Sequence, residues 1–264
     1  MKLRPKAETV GRRICFCLAM IPIAACLSAC HAPTSATLTL SVAASLKDAI
    51  VEVEADYNRG HAAIDFHNNF GSSGTLAREI EDGAPVDVFL SAASKPVDDL
   101  AAKGLVAPGT RRDLLRNQLV LIAPLDSKLR DFDGLADRSI RLIALGDPGS
   151  VPAGQYGRQT LQALHLYDKV SAKLVLGKDV RQVLTYVETG NADAGLVYST
   201  DAAISAKVHV VAVAPDSTHD PIVYPAAALK ASHDPEDARR FIEYLGSPAA
   251  QAIFIKHGFT IASS

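Results

Sequence analysis

The chain has 264 residues, a formal net charge of −2 at pH 7 and no tryptophan. Residues 1–29 carry five basic and one acidic side chain, so the rest of the chain carries a net charge of −6. A negative body argues against nucleic acid as a partner. The remaining stretch of about 230 residues is long enough for one large or two small globular domains.

The N-terminal segment has the composition of a secretory signal. Basic residues precede an apolar run over residues 14–27, which is short for a membrane span. The run ends in Leu-Ser-Ala-Cys at residues 27–30, which resembles the lipobox of bacterial lipoproteins. We therefore predict a lipoprotein signal peptide over residues 1–29, acylation of Cys30 and a short tether over residues 30–36. The alternative is ordinary cleavage among the neighbouring small residues, which would release a soluble protein.

All cysteines of the chain fall within this segment, at positions 15, 17, 26 and 30. No thiol therefore remains downstream for a disulfide, a metal thiolate or a nucleophile. Cysteine chemistry is excluded from the function of the mature protein.

Downstream of residue 36, short β-rich runs alternate with segments whose apolar residues recur at helical spacing. The strand-like runs are 38–42, 62–67, 86–91, 119–123, 141–145, 195–198 and 208–213. The helical segments are 46–57, 75–81, 97–103, 154–164, 181–188, 235–245 and 248–257. This alternation predicts an α/β architecture of mainly parallel sheets covered by helices. Ligands of such folds collect beyond the carboxyl ends of the strands.

Two further strand-like stretches, 117–124 and 221–229, lie far apart in the sequence. We predict that they carry the chain between two lobes. The first lobe would then comprise residues 37–117 and 223–264, and residues 118–222 would form the second lobe as an insertion.

Two serines occupy turns at which a strand-like run ends and a helical segment begins. The start of a helix offers free backbone N–H groups and a positive dipole end, which suit an anion. Ser45 lies three residues before Asp48, which is the spacing of a capping box and gives the serine a purely structural alternative role. Ser73 lies between Gly71 and Gly74, in a turn where the backbone can approach a ligand closely.

Two other turns of this kind offer backbone donors rather than side chains. Proline suits the first turn of a helix and lacks an N–H, so the first donor after Pro152 is the amide of Ala153. Asp179 is interpreted as a helix N-cap, which leaves the amide of Val180 without an intrahelical acceptor. Tyr198 ends a buried strand-like run, where packing is the alternative to binding.

Two other functions remain open on these residues. A secreted serine hydrolase is one, because Gly71 and Ser73 between strand and helix approach a nucleophile elbow. Thr75 replaces the second glycine of the elbow, and the histidines lie in no recognisable motif. A metal-binding adhesin-type protein is the other, but the histidines and carboxylates are scattered without ligand spacing.

Several stretches together resemble the molybdate-binding proteins of ABC-type uptake systems. They are Ala-Ser-Leu at 44–46, Gly-Ser-Ser-Gly-Thr-Leu-Ala at 71–77, Gly-Ala-Pro-Val-Asp-Val-Phe at 83–89, Gly-Asp-Pro at 146–148 with Val-Pro-Ala-Gly at 151–154, Gly-Leu-Val-Tyr at 195–198 and His-Gly-Phe-Thr-Ile at 257–261. The similarity covers nearly the whole chain after the signal segment. The combination is specific, although each stretch alone is weak.

The resemblance implies a two-lobed periplasmic-binding-protein-like fold of type II that binds molybdate, and tungstate as well, without cofactor or catalysis. Carried over residue by residue, the positions that bind the molybdenum, as its oxyanion, are Ser45, Ser73, Ala153, Val180 and Tyr198. One departure is Gly74, where relatives often have a third serine.

The resemblance also implies how such a protein works in the cell. Two lobes would close over the oxyanion by a hinge motion, and a transporter in the membrane would recognise the closed form. The partners would be the permease subunits of an ABC transporter in the inner membrane. The protein would be a monomer in the periplasm, anchored through Cys30.

Overall fold

The computed structural model describes residues 36–262. The predicted signal peptide, Cys30 and the tether up to residue 35 lie outside the described residues, as do residues 263 and 264. In the part of the chain that is described, no helix has the length and apolar character needed to cross a membrane.

Strands and helices alternate along residues 36–262, as the sequence pattern predicts. The strands are β1 (Ala36–Ala43), β2 (Ile64–Gly71), β3 (Val88–Leu90), β4 (Arg112–Arg116), β5 (Leu119–Pro124), β6 (Ile143–Gly146), β7 (Leu174–Gly177), β8 (Ala194–Tyr198), β9 (Val208–Val213), β10 (Val223–Ala228) and β11 (Thr260–Ile261). The α-helices are α1 (Lys47–Gly60), α2 (Ser73–Glu81), α3 (Ser94–Ala102), α4 (Pro152–Ala163), α5 (Tyr167–Val170), α6 (Val180–Glu188), α7 (Ser199–Ala203), α8 (Pro235–Leu245) and α9 (Pro248–Lys256). The expected α/β class is confirmed.

The strands form two sheets, with the orders β11-β4-β10-β3-β1-β2 and β7-β6-β8-β5-β9. In the first sheet β1 pairs in parallel with β2 and β3, and in the second β6 pairs in parallel with β7 and β8. All other strand pairs are antiparallel, so the sheets are mixed rather than mainly parallel. Parallel neighbours need a helical crossover, which the six parallel strands have. The remaining strands, β4, β5, β9, β10 and β11, form only antiparallel pairs. Strands β4 and β5 flank one connection between the sheets, and β9 and β10 flank the other.

The chain passes between the two sheets at residues 117–118 and again over residues 214–222. The two stretches expected to cross place their strands in one sheet each, β5 in the second and β10 in the first. We call the first sheet with α1–α3, α8 and α9 the first lobe, and the second sheet with α4–α7 the second lobe. The lobe boundaries predicted from the sequence, with residues 37–117 and 223–264 in one lobe and 118–222 in the other, remain a prediction.

Helices cover the parallel strands of both sheets. Helices α2 and α8 pack against β1, whereas α4 and α6 pack against β6 and β8. Strand β1 therefore lies in an apolar environment, in which Leu38, Leu40 and Val42 are fully buried. Because these buried side chains hold β1 in the sheet, they also set the position of the residues that follow the end of the strand.

Candidate functional site

The carboxyl ends of the six parallel strands meet at one small cavity between the lobes, with about 200 Å³ of empty space when the part open to solvent is included. Residues at or just after the ends of β1, β2 and β3 line it from the first lobe, and residues after β6, β7 and β8 line it from the second. The lining residues are Ala43, Ala44, Ser45, Gly71, Ser72, Ser73, Ala92, Val151, Pro152, Ala153, Val180 and Tyr198. None of these residues is charged, so the cavity offers only neutral polar groups.

All five residues singled out from the sequence therefore lie around the same cavity. Three of them, Ser73, Ala153 and Tyr198, are at most 1% exposed, and Ser45 and Val180 are almost as deeply buried. The carboxyl ends of parallel strands are where α/β folds bind ligands, because helix N-termini point there. The arrangement brings donors from two distant parts of the chain within reach of one small molecule.

The hydroxyl of Ser45 does not cap a helix. Helix α1 has Leu46 as its N-cap residue, with no side-chain cap, so the capping-box interpretation is wrong. Instead Ser45 Oγ lies 3.0 Å from the hydroxyl of Tyr224, which in turn accepts a hydrogen bond of 3.3 Å from the side-chain amide of Asn117. The amide of Asn117 fills one acceptor site of the Tyr224 hydroxyl, and either hydroxyl can donate across the contact between Tyr224 and Ser45. With Tyr224 as the donor, the proton of Ser45 is free for a ligand.

Ser73 is arranged in the same way. Its Oγ accepts a hydrogen bond of 2.9 Å from the backbone N–H of Ala92, at the end of β3. No described residue accepts the proton of Ser73, which leaves it available to the cavity. The neighbouring Ser72 differs, since it is the N-cap residue of α2 and donates its proton to Thr75 Oγ1 at 2.9 Å.

The second lobe contributes backbone donors at the starts of two helices. Pro152 occupies the first turn of α4, as expected, and Ala153 follows it. Asp179 caps α6 by accepting the N–H of Gln182 at 2.8 Å, which confirms its predicted role and places Val180 at the first helical position. Amides at these positions have no acceptor in their own helix. No other described residue accepts them.

Tyr198 supplies a hydroxyl that stays protonated. Burial raises the pKa of Tyr198 well above the ordinary value of a phenol, with a smaller contribution from Tyr224. The hydroxyl lies 3.4 Å from the backbone oxygen of Ala92 in the opposite lobe, which is long for a hydrogen bond of this type. The weak contact leaves the hydroxyl free to turn towards a stronger acceptor.

The lobes touch directly beside the cavity, where the N–H of Gly74 donates to the carbonyl of Ser150 at 3.0 Å. A Cβ atom on Gly74 would lie 2.6 Å from that carbonyl oxygen, which is closer than real contacts allow. Glycine at this position therefore permits the close approach of the two backbones. A serine here would require the lobes to meet differently.

Sequence reasoning missed Ala92, which lines the cavity, and Tyr224, which contacts Ser45 from behind it. Ala92 follows β3 as the predicted residues follow their strands, so the rule of strand ends could have found it. Tyr224 lies inside β10, and only the fold brings it to Ser45, 179 positions away in the chain. No local pattern in the sequence would have indicated it.

The alternative functions find no support in this geometry. Within residues 36–262, no histidine forms a hydrogen bond with Ser73, so the partner that activates a serine nucleophile is lacking there. No group of three or more potential metal ligands comes together among the described residues. A larger depression near Asp126, Asp137 and Asp193 lies away from the carboxyl ends of the parallel strands, and its carboxylates outnumber its one cation, Lys128.

Comparison with known proteins identifies a family and several similar proteins. Residues 38–260 match the family of bacterial extracellular solute-binding proteins. The chain is 42% identical to the molybdate-binding protein ModA of Haemophilus influenzae, with 86% of this chain and 91% of the relative covered. It is 47% identical to YvgL of Bacillus subtilis, a proposed ABC transporter substrate-binding lipoprotein, with 85% and 86% covered.

A solved structure agrees with these relatives. The periplasmic molybdate-binding protein of Azotobacter vinelandii superposes with a TM-score of 0.76 at 28% identity, and the match covers 86% of this chain and all of that one. The two-lobed periplasmic-binding-protein-like fold implied by the resemblance is therefore confirmed.

Proposed function

Because the chain belongs to the family of bacterial extracellular solute-binding proteins, we propose that it captures molybdate between its lobes and delivers it to an ABC transporter. The observation that carries this proposal is the cavity itself, which gathers uncharged donors from six strand ends. Ser45, Ser73 and Tyr198 would donate hydroxyl protons, and Ala153 and Val180 would donate backbone N–H groups. Each oxygen of a tetrahedral oxyanion could thus be satisfied.

Neutral donors suffice for a dianion if every oxygen is hydrogen-bonded. Hydrogen bonds to charged groups are worth about 1.5–3 kcal/mol each, so five of them can offset a large desolvation cost. The starts of α2, α4 and α6 add partial positive charge at the cavity. The five proposed donors also support a binding protein rather than an enzyme, because they include neither a general base nor a nucleophile activated by one.

Donors without a free acceptor select fully deprotonated oxyanions. Phosphate near neutral pH keeps a proton that needs an acceptor, and the lining of the cavity holds no carboxylate or imidazole to accept it. Sulfate has no such proton but is smaller, so it would leave a donor on one lobe unpaired. Tungstate is nearly the size of molybdate and carries the same charge, and we expect it to bind as well.

We further propose where the protein acts. The lipobox-like Leu-Ser-Ala-Cys at residues 27–30, and the lipoprotein relative in Bacillus subtilis, support acylation of Cys30. The protein would act as a monomer in the periplasm, tethered to a membrane. Its closed form would dock on the permease subunits in the inner membrane.

Titration of the purified mature protein with four oxyanions tests the proposed function. Calorimetry suits the measurement, because the chain has no tryptophan to report binding by fluorescence. We expect molybdate and tungstate to bind alike, and sulfate and phosphate to bind at least roughly tenfold more weakly, the effect of one unsatisfied buried group. Equal affinity for sulfate or phosphate would contradict the specificity, and absence of binding would contradict the function.

Replacing both serine donors tests the site. Ser45→Ala with Ser73→Ala should weaken molybdate binding by about a hundredfold or more, since two hydrogen bonds to a charged group are lost. Ser72→Ala is the matched control, because the proton of Ser72 is already donated to Thr75. It should cost about 1 kcal/mol of stability through the lost helix cap and much less affinity. Unchanged affinity in a folded double variant would mean that the site lies elsewhere.

A single methyl group tests the contact between the lobes. Gly74→Ala places a Cβ against the Ser150 carbonyl, so we expect weaker molybdate binding in calorimetry, by roughly tenfold, the effect of about 1.4 kcal/mol of strain. Gly60→Ala is the control, because a Cβ there meets no atom within 4 Å. Equal affinities of the two variants would show that the close approach at Gly74 plays no part in binding.

A further inference from the structure

Arg181 follows Val180 in the first turn of α6 and reaches from the second lobe to the first. Its guanidinium lies 2.8 Å from the carboxylate of Asp48 in α1 and 3.4 Å from the backbone oxygen of Ser45. Helix α6 packs on β6 and β8, whereas α1 packs against β2 and α9. The two ends of this contact are therefore carried by different sheets.

Asp201 holds the guanidinium from within the second lobe. Its carboxylate is fully buried in α7, and Arg181 Nε lies 2.6 Å from Asp201 Oδ1. The N–H is not aligned as a hydrogen bond, and no described residue donates a hydrogen bond to this carboxylate, so charge holds the pair. Burial raises the pKa of Asp201 to about 6, against the opposing effect of Arg181, and the group is mainly ionised at neutral pH. Arg181 is thus oriented before it meets the first lobe.

Arg181 does not line the cavity. It stands directly behind two groups that do, because it adjoins Val180 in the chain and contacts the backbone of Ser45. We propose that Arg181 is a positioning residue for ligand retention, which bridges the lobes through Asp48 and Ser45 and slows release of the bound oxyanion. The inference rests on the proposed function. Opening of the cleft would break both contacts while leaving the pair with Asp201 intact.

The variant Asp48→Asn distinguishes a contact between the lobes from long-range attraction of the anion, because the two explanations predict opposite effects on molybdate binding. Removal of a negative charge near the cleft should strengthen the binding of an anion if only long-range attraction matters. Loss of the bridge should instead speed release of molybdate by roughly two- to fivefold, the upper part of the range for a partly exposed ion pair. Asp48 is exposed, with 45% of its side chain accessible, so the melting temperature of the ligand-free protein should not change.

Arg181 is tested together with Asp201, because removal of the arginine alone would leave a buried carboxylate without a counter-charge. In the Arg181→Met, Asp201→Asn background, release should already be fast, and Asp48→Asn should add nothing. Lys178 is exposed in the turn just before α6, and its side chain pairs with no described residue. Lys178→Met is the control for loss of a positive charge alone. It should release molybdate at the wild-type rate.

Release rates from a chase of radiolabelled molybdate with excess unlabelled molybdate, followed by rapid filtration, decide between the outcomes. Wild-type or slower release by Asp48→Asn would overturn the bridge, and so would an equal acceleration in the background that lacks Arg181. Either result leaves the proposed function intact, because both require that molybdate binds. A wild-type protein that binds none of the four oxyanions would instead contradict the proposed function, and the retention role with it.

Discussion

A doubly charged anion in a buried cavity without a counter-charge must have all of its oxygens hydrogen-bonded. The cavity of this protein is lined by no charged residue, so each donor must come from a hydroxyl or a backbone amide. Free backbone amides occur at the starts of helices. The parallel strands of both sheets end where such helices begin, and this common geometry explains why three strands from each sheet point at one place.

A hydroxyl is useful to an anion only if its proton points the right way. The side-chain amide of Asn117 donates a hydrogen bond to Tyr224, whose hydroxyl is hydrogen-bonded to that of Ser45. The backbone amide of Ala92 donates a hydrogen bond to Ser73. The Ala92 amide thereby leaves the proton of Ser73 to the cavity, and the Tyr224 hydroxyl does the same for Ser45 when it is the donor of their contact. Gly74 and Arg181 each contact the opposite lobe, through Ser150 and Asp48, beside these donors.

The sequence allowed Ser73, Ala153, Val180 and Tyr198 to be proposed because the end of a strand and the start of a helix leave local signals. Their meeting at one cavity depends on strand order, which local patterns do not contain, and only the family resemblance supplied it. The capping role of Ser45 was wrong for the same reason, since its partner Tyr224 is distant in the chain. Strand β4 escaped prediction because charged residues fill three of its five positions and mask Leu114 and Leu115.

The central claim is that one oxyanion is held by both lobes through Ser45, Ser73, Ala153, Val180 and Tyr198. A crystal structure of the protein grown with molybdate, with anomalous data collected at the molybdenum absorption edge, tests it most directly. The proposed binding mode places the strongest anomalous peak inside this cavity, with the molybdate oxygens at about 2.7–3.2 Å from donors of both lobes. A peak outside the cavity, or one with contacts to a single lobe, would contradict it.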